Sequence, residues 1–254
     1  MENLFCLNGK TALVMGGAGG IGQAIAGGLA FYGANVCIAS RNEESLKRAQ
    51  EEIKAEVGKD INIYSCDATD EAAVKALADQ LVKEHGKVDI LVNAQGFNRK
   101  FPATEFPIDV WEQLFQVNVK SVMICCKTFG AMMKAQGYGR ILNLSSVRGS
   151  RGCGGGNAGY GATKGAVDMM TRMLAAELGP EVNVNAIGPT VTETPMMRNI
   201  LTEDLKKMLS GNAPAKRIGL VEDCIGPAVF LCSDAAGFVT GQILYPDGGL
   251  TAVG

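Results

Sequence analysis

The sequence predicts a single α/β domain: a doubly wound parallel sheet of about seven strands, with helices on both faces. Three observations lead there. Apolar runs of strand length alternate with longer stretches of helical spacing, as in successive β-α-β crossovers. The first of these runs enters a glycine-rich turn and then a helix, the context that makes a glycine motif informative. No linker, repeat or low-complexity segment interrupts residues 1–254, so one domain is the economical reading.

Taken in order, Thr11–Met15 is a short apolar run, as suits a strand buried on both faces. It runs into Gly16-Gly17-Ala18-Gly19-Gly20-Ile21-Gly22, after which apolar residues recur at helical spacing until Gly33. Gly16 would allow a sharp turn, Gly20 would leave room for a pyrophosphate, and Gly22 would let the helix pack close to the strand. The helix N-terminus would offer N–H groups and partial positive charge to phosphates. A purely structural glycine turn is the competing reading. The second strand, residues 35–39, ends at Ser40-Arg41. A dinucleotide would place its adenosine ribose there. Ser40 carries no charge, and Arg41 brings a cation suited to a 2′-phosphate, so NADP(H) is favoured over NAD(H). An Arg41 turned to solvent is the alternative.

The pattern repeats with a helix over 43–57, a strand over 61–65 ending at Cys66-Asp67-Ala68, and a helix capped by Asp70 and running to about His85. A fourth strand, residues 88–92, ends at Asn93-Ala94-Gln95-Gly96. Asp67, Ala68, Asn93 and Gly96 would meet at the C-terminal edge of the sheet, where such folds bind ligands. A long helix is expected over 109–136, carrying Asn118. A fifth strand over 140–144 runs into Ser145-Ser146, and a glycine-rich stretch leads to Tyr160. The Tyr160 helix stops near Leu178. A strand over 182–187 ends at Gly188-Pro189-Thr190, residues 192–212 form a candidate lid, and a helix over 222–232 and a strand over 242–245 complete the chain.

The formal net charge of -2, with no block of like charge, gives no sign of a nucleic-acid or membrane-surface partner. The eight cysteines sit in apolar runs without Cys-x-x-Cys spacing, which reads as the reduced core thiols of a cytoplasmic protein. No metal site is expected, because the one histidine, His85, reads as a solvated helix-end residue. No secretory signal or membrane span is read from the sequence.

The chemistry is expected at Tyr160 and Lys164, four residues apart on one helix face. A free tyrosine titrates near pH ~10, and a fixed positive charge beside it would lower that value. Tyr160 would then exchange a proton with an alcohol or carbonyl. The alternative is a half-buried tyrosine and a solvated lysine on an ordinary helix.

Together these residues resemble the short-chain dehydrogenase/reductase family over essentially the whole chain. The likeness rests on Gly16-x-x-x-Gly20-Ile21-Gly22, Asp67, 93–96, Asn118, Ser146, Tyr160-x-x-x-Lys164, Pro189, Thr194 and Asp247-Gly248-Gly249, in the family's order. It implies a Rossmann-type fold, a nicotinamide cofactor and a homotetramer. It implies Tyr160 as acid/base, Ser146 on the substrate oxygen, and Lys164 lowering the tyrosine pKa and holding the nicotinamide ribose. Asn118 would steady a water. The glycine turn including Gly17 would hold pyrophosphate, Asp67 the adenine edge, Asn93 the adenosine side and Thr194 the carboxamide. The chain departs from the family at Met15, Gly19, Ala94-Gln95 and Thr190, and Ser145 is the alternative active-site serine.

Within the family the chain is most similar to the sugar-acid branch of gluconate 5-dehydrogenases, through residues 97–107 and 247–254. That implies interconversion of a secondary alcohol and a ketone on a sugar acid or polyol. Arg99 would pair with a substrate carboxylate, with Arg148 and Arg151 adding charge. A reductase of 3-oxoacyl thioesters, steroids or xenobiotic ketones, and more remotely a non-catalytic NADP-binding protein, are the competing functions.

Overall fold

The computed structural model describes residues 3–194 and 202–253. Its core is a seven-stranded parallel sheet. The strands are β1 (Thr11–Met15), β2 (Asn35–Ser40), β3 (Asn62–Ser65), β4 (Ile90–Asn93), β5 (Gly139–Leu144), β6 (Val182–Ile187) and, counting a peripheral pair first, β9 (Ile243–Leu244). The pair is β7 (Thr192–Glu193) and β8 (Gly219–Leu220). The sheet runs β3-β2-β1-β4-β5-β6-β9. β1 pairs with β2 on one side and β4 on the other, so the strand order reverses beside β1 and opens a crevice at the strand ends.

The period of two along β1 builds both layers. Ala12 and Val14 join an apolar cluster with α1 (Gly20–Phe31), α2 (Glu43–Val57) and α8 (Ile225–Cys232). Leu13 and Met15 join the opposite cluster with α3 (Glu71–His85), α5 (Ser121–Gln136) and α6 (Ala158–Leu178). The exposed helices are capped as their sequence suggests: Asn42 accepts from the Ser45 amide before α2, and Asp70 from the Ala72 and Ala73 amides before α3.

Several expectations are revised. The helix expected over 109–136 is α4 (Ile108–Phe115) and α5, joined by a π-helical turn over Gln116–Lys120 that carries Asn118. The helix expected from 222 opens as a 3-10 turn, Val221–Cys224, before α8. The β7–β8 pair and α7 (Glu203–Ser210) give the candidate lid local structure, with Lys206 Nζ 3.1 Å from Glu193 Oε2. Residues 195–201 of that segment lie outside the described residues. His85 does end its helix before Gly86, but it is not solvated. Its ring meets the Tyr64 hydroxyl at 2.9 Å and the Asn35 amide at 3.2 Å, and its side chain is 14% exposed.

Two glycines of the turn are required by contact. Gly16 has φ of +76°, and a Cβ there would stand 2.6 Å from the Gln95 amide nitrogen. A Cβ on Gly22 would stand 2.4 Å from the Gly16 carbonyl oxygen, so α1 approaches the turn as closely as backbone allows. Gly22→Ala should therefore cost about 1–3 kcal/mol of stability, read from urea unfolding.

Candidate active site

A cleft of about 690 Å³ occupies the reversal point. Gly16, Ser40, Arg41, Asp67, Ala68, Gly96 and Arg99 all line it. The Asp67 carboxylate is held below its usual range, first by the Thr69 amide at 2.9 Å, then by the Thr69 hydroxyl and the Arg41 charge. Arg41 is exposed at the cleft. Gly19 precedes α1 with no side chain capping that helix end, and a Cβ there would meet nothing. This open helix N-terminus, with a cation and a carboxylate further along, fits a dinucleotide whose pyrophosphate sits at the turn.

Not every expected residue faces the cleft. A Cβ on Gly17 would stand 2.8 Å from Ile38, so that position backs onto the sheet instead of the cleft. Asn93 is 1% exposed, and its amide donates to Asn143 Oδ1 at 2.9 Å. It ties β4 to β5 and does not reach toward an adenosine. Ile21 packs against the apolar cluster behind the turn. Thr194 lies across from the turn, its methyl 3.5 Å from a Cβ placed on Gly20. Sequence reasoning missed Gln95 and Ser121 in the cleft wall, where the Gln95 amide donates to the Ser121 hydroxyl at 3.0 Å. Ser121 is the first residue of α5, and its approach to the cleft follows from the π turn, which periodicity did not signal.

Beyond Gly96 lies the group from which chemistry is expected. A Cβ on Gly96 would stand 3.7 Å from Lys164 Nζ and 3.2 Å from Asn118 Oδ1, so the chain passes closely over both. Lys164 is 3% exposed, and its ammonium donates to the Leu144 carbonyl at 2.6 Å. Burial brings its pKa down to about 8, with the Asp168 charge opposing. Ser146 follows β5; its hydroxyl donates to the Pro189 carbonyl at 3.4 Å and accepts from the Arg148 amide at 3.2 Å. Ser145, the alternative serine, points elsewhere, to Asp168.

Three expectations change here. Tyr160 is pushed above its ordinary pKa by burial, against the lowering effects of the Ser146 hydroxyl and the Arg148 charge. Lys164 is not among the groups that lower it: its Nζ is 5.6 Å from the centre of the Tyr160 ring and is directed to the backbone. Asn118 is fully buried with its side chain on protein groups, accepting from the Phe97 amide at 3.0 Å and donating to the Phe97 carbonyl and the Thr163 hydroxyl. It fastens the loop after β4 to α6. Arg151 serves the chain end, donating to the Leu250 and Val253 carbonyls. Among the described residues there is no cluster of three metal-ligating side chains, and no helix is long and apolar enough to cross a membrane.

This geometry has known counterparts. Residues 16–251 match the family model described as enoyl-(acyl carrier protein) reductase. Gluconate 5-dehydrogenase of Gluconobacter oxydans is 39% identical over 98% of this chain and 97% of its own. The 5-keto-D-gluconate 5-reductase of Escherichia coli is 34% identical over 98% of each chain. A gluconate 5-dehydrogenase from Burkholderia cenocepacia, solved in complex with NADP and tartrate, superposes with a TM-score of 0.92. It is 35% identical, over 99% of this chain and 98% of that one. The chain belongs to the short-chain dehydrogenase/reductase family. It is an oxidoreductase of CH–OH groups that uses a nicotinamide cofactor to interconvert a secondary alcohol and a ketone.

The buried ammonium makes a stability prediction. Below pH 8 Lys164 is charged in both folded and unfolded chains, and burial penalises the folded one. Above pH 8 the folded chain releases the proton first, the unfolded chain then binds more protons, and stability rises with pH. Lys164→Met should thus show its greatest stability relative to the parent at pH 7. That difference should shrink by about 2–3 kcal/mol by pH 10, measured by urea unfolding at each pH.

Proposed function

We propose that this enzyme is an NADP(H)-dependent dehydrogenase of a sugar acid or a related polyol, acting as a gluconate 5-dehydrogenase does. The observation that carries the reading is that one cleft is lined by two arginines, Arg41 after β2 and Arg99 after β4. The first suits a 2′-phosphate, the second a substrate carboxylate. The tartrate in the Burkholderia cenocepacia structure is a hydroxy acid of this kind, and that structure also holds NADP.

When bound, the nicotinamide supplies or accepts the hydride. The glycine turn and the start of α1 would hold the pyrophosphate, Asp67 and Ala68 the adenine, and Pro189, Thr194 and Lys164 the nicotinamide end. In ketone reduction the Tyr160 hydroxyl donates its proton to the oxygen on which negative charge develops, while the Ser146 hydroxyl donates a hydrogen bond to the same oxygen. A phenol is protonated at neutral pH, the form an acid needs, and burial raises its pKa further. In alcohol oxidation the phenol must first lose that proton, and the Ser146 hydroxyl and Arg148 charge ease its loss. Asn118 keeps the Gly96–Phe97 backbone at its place over Lys164.

We read residues 1–254 as one catalytic domain and the protein as a cytoplasmic homotetramer. Six of the eight thiols are buried and free, as a reduced compartment would keep them. Met123 on α5 and Met169 and Met173 on α6 are exposed, an apolar face suited to pairing between copies.

A panel of sugar acids, polyols, acyl thioesters and steroid ketones, each assayed with NADPH and NADH by cofactor absorbance, tests the reading. Turnover confined to acyl thioesters or steroid ketones would overturn it. Tyr160→Phe should lower kcat by at least ~10²-fold without weakening cofactor binding. Arg41→Ala should raise the Kd for NADPH by about tenfold or more and leave that for NADH nearly unchanged, measured by fluorescence titration.

A further inference from the structure

Asp168 stands on α6 one turn beyond Lys164 and on the same face. It is 4% exposed, and the proton path described above does not use it. A carboxylate that deep is costly unless paired, and its hydrogen-bond partner is the serine next to Ser146. The Ser145 hydroxyl donates to Asp168 Oδ1. That hydroxyl also lies 3.5 Å from the Lys164 carbonyl. Ser145 is flanked by Leu144, whose carbonyl takes the Lys164 ammonium, and by Ser146. The turn that follows is moulded on the same carboxylate, since a Cβ on Gly149 would stand 2.5 Å from Asp168 Oδ2.

We propose that Asp168 is the buried counter-charge of Lys164 and, through Ser145, positions the Leu144-Ser145-Ser146 strand end against the helix that carries Tyr160 and Lys164. It is a positioning residue and acts through its neighbours. The inference rests on the reading of Lys164 and Ser146 as active-site groups. Two charges on one helix face in a low-dielectric interior interact strongly, and Asp168 opposes the loss of the Lys164 proton that burial favours. The other groups facing the pair are few. Arg172 faces Asp168 from α6, and the Tyr245 phenol faces it from the segment after β9. Tyr160 adjoins Lys164 on α6, and Arg148 faces Tyr160 from the turn after Ser146.

A double-mutant cycle with Asp168→Asn and Lys164→Met, followed by urea unfolding at pH 7 and pH 10, separates the charge from the packing. At pH 7 Asp168→Asn should lower the folded-to-unfolded ratio by about tenfold more in the parent than in the Lys164→Met background, and the excess should fall away at pH 10. In turnover, Asp168→Asn should move the alkaline limb of the rate profile about one pH unit lower. Ser145→Ala, which keeps the charge, should leave that limb in place. If Asp168→Asn alone does not fold, folding of the double variant supports the proposal, and failure of the double variant overturns it. Additivity at both pH values, or an alkaline limb that Asp168→Asn does not move, also overturns it. The cycle is read without turnover. Coupling seen alongside an active Tyr160→Phe would therefore leave the counter-charge standing while the reaction proposed above fell.

Discussion

The hydrogen bond from the Lys164 ammonium to the Leu144 carbonyl, at 2.6 Å, joins the two elements from which the active site is made. Leu144 ends β5 and leads to Ser146. Lys164 lies one turn beyond Tyr160 on α6. A charge placed at 3% exposure is tolerated only where backbone and side-chain oxygens receive it. The strand end supplies the first oxygen, and its direction fixes the ammonium beneath Gly96. A side chain at residue 96 would crowd both Lys164 and Asn118, so the glycine there follows from the same constraint.

Neutral polar contacts extend this link into the sheet. The Asn93 amide donates to Asn143 at 2.9 Å, and the Asn143 amide donates to the Thr171 hydroxyl at 3.0 Å. The chain of bonds runs from β4 through β5 to α6, entirely buried. A satisfied buried network of this kind fixes register, because any slip leaves its groups unpaired. Asn118 does the same work on the other side, binding the Phe97 backbone and Thr163. The cleft wall and the catalytic helix are therefore linked through buried bonds, and the cofactor turn packs on the same wall where Gly16 meets Gln95.

Much of this could be read from residue order alone. Apolar runs such as Thr11–Met15 alternating with helical stretches point to central parallel strands, and the glycine turn between strand and helix points to close backbone approach, so the fold and the crevice are legible. What escaped depends on three-dimensional competition. The π turn at Gln116–Lys120 leaves no mark in the periodicity of the long helical stretch. Asn93 and Asn118 have the residue types of ligand-binding groups, yet the backbone and neighbouring asparagines reach them first. The direction of the Tyr160 pKa shift depends on the same competition. Sequence spacing places the ammonium near the phenol, but it does not reveal that a carbonyl claims the ammonium or how deeply the phenol is buried.

The place of the ammonium changes how the site divides its charges. With Lys164 turned to the strand end, the Arg148 charge, in the turn after Ser146, joins the Ser146 hydroxyl in favouring a Tyr160 phenolate. Lys164 instead sets the distance between β5 and α6 and so the approach of Ser146 to Tyr160. A phenol raised by burial holds its proton firmly until a substrate oxygen becomes negative, and only then does transfer become downhill. Such a proton is kept for the transition state and is not lost to water. The ability to release it in the reverse direction then depends on the Ser146–Arg148 turn, a segment whose place is set by the glycine at 149 and the carboxylate beneath it.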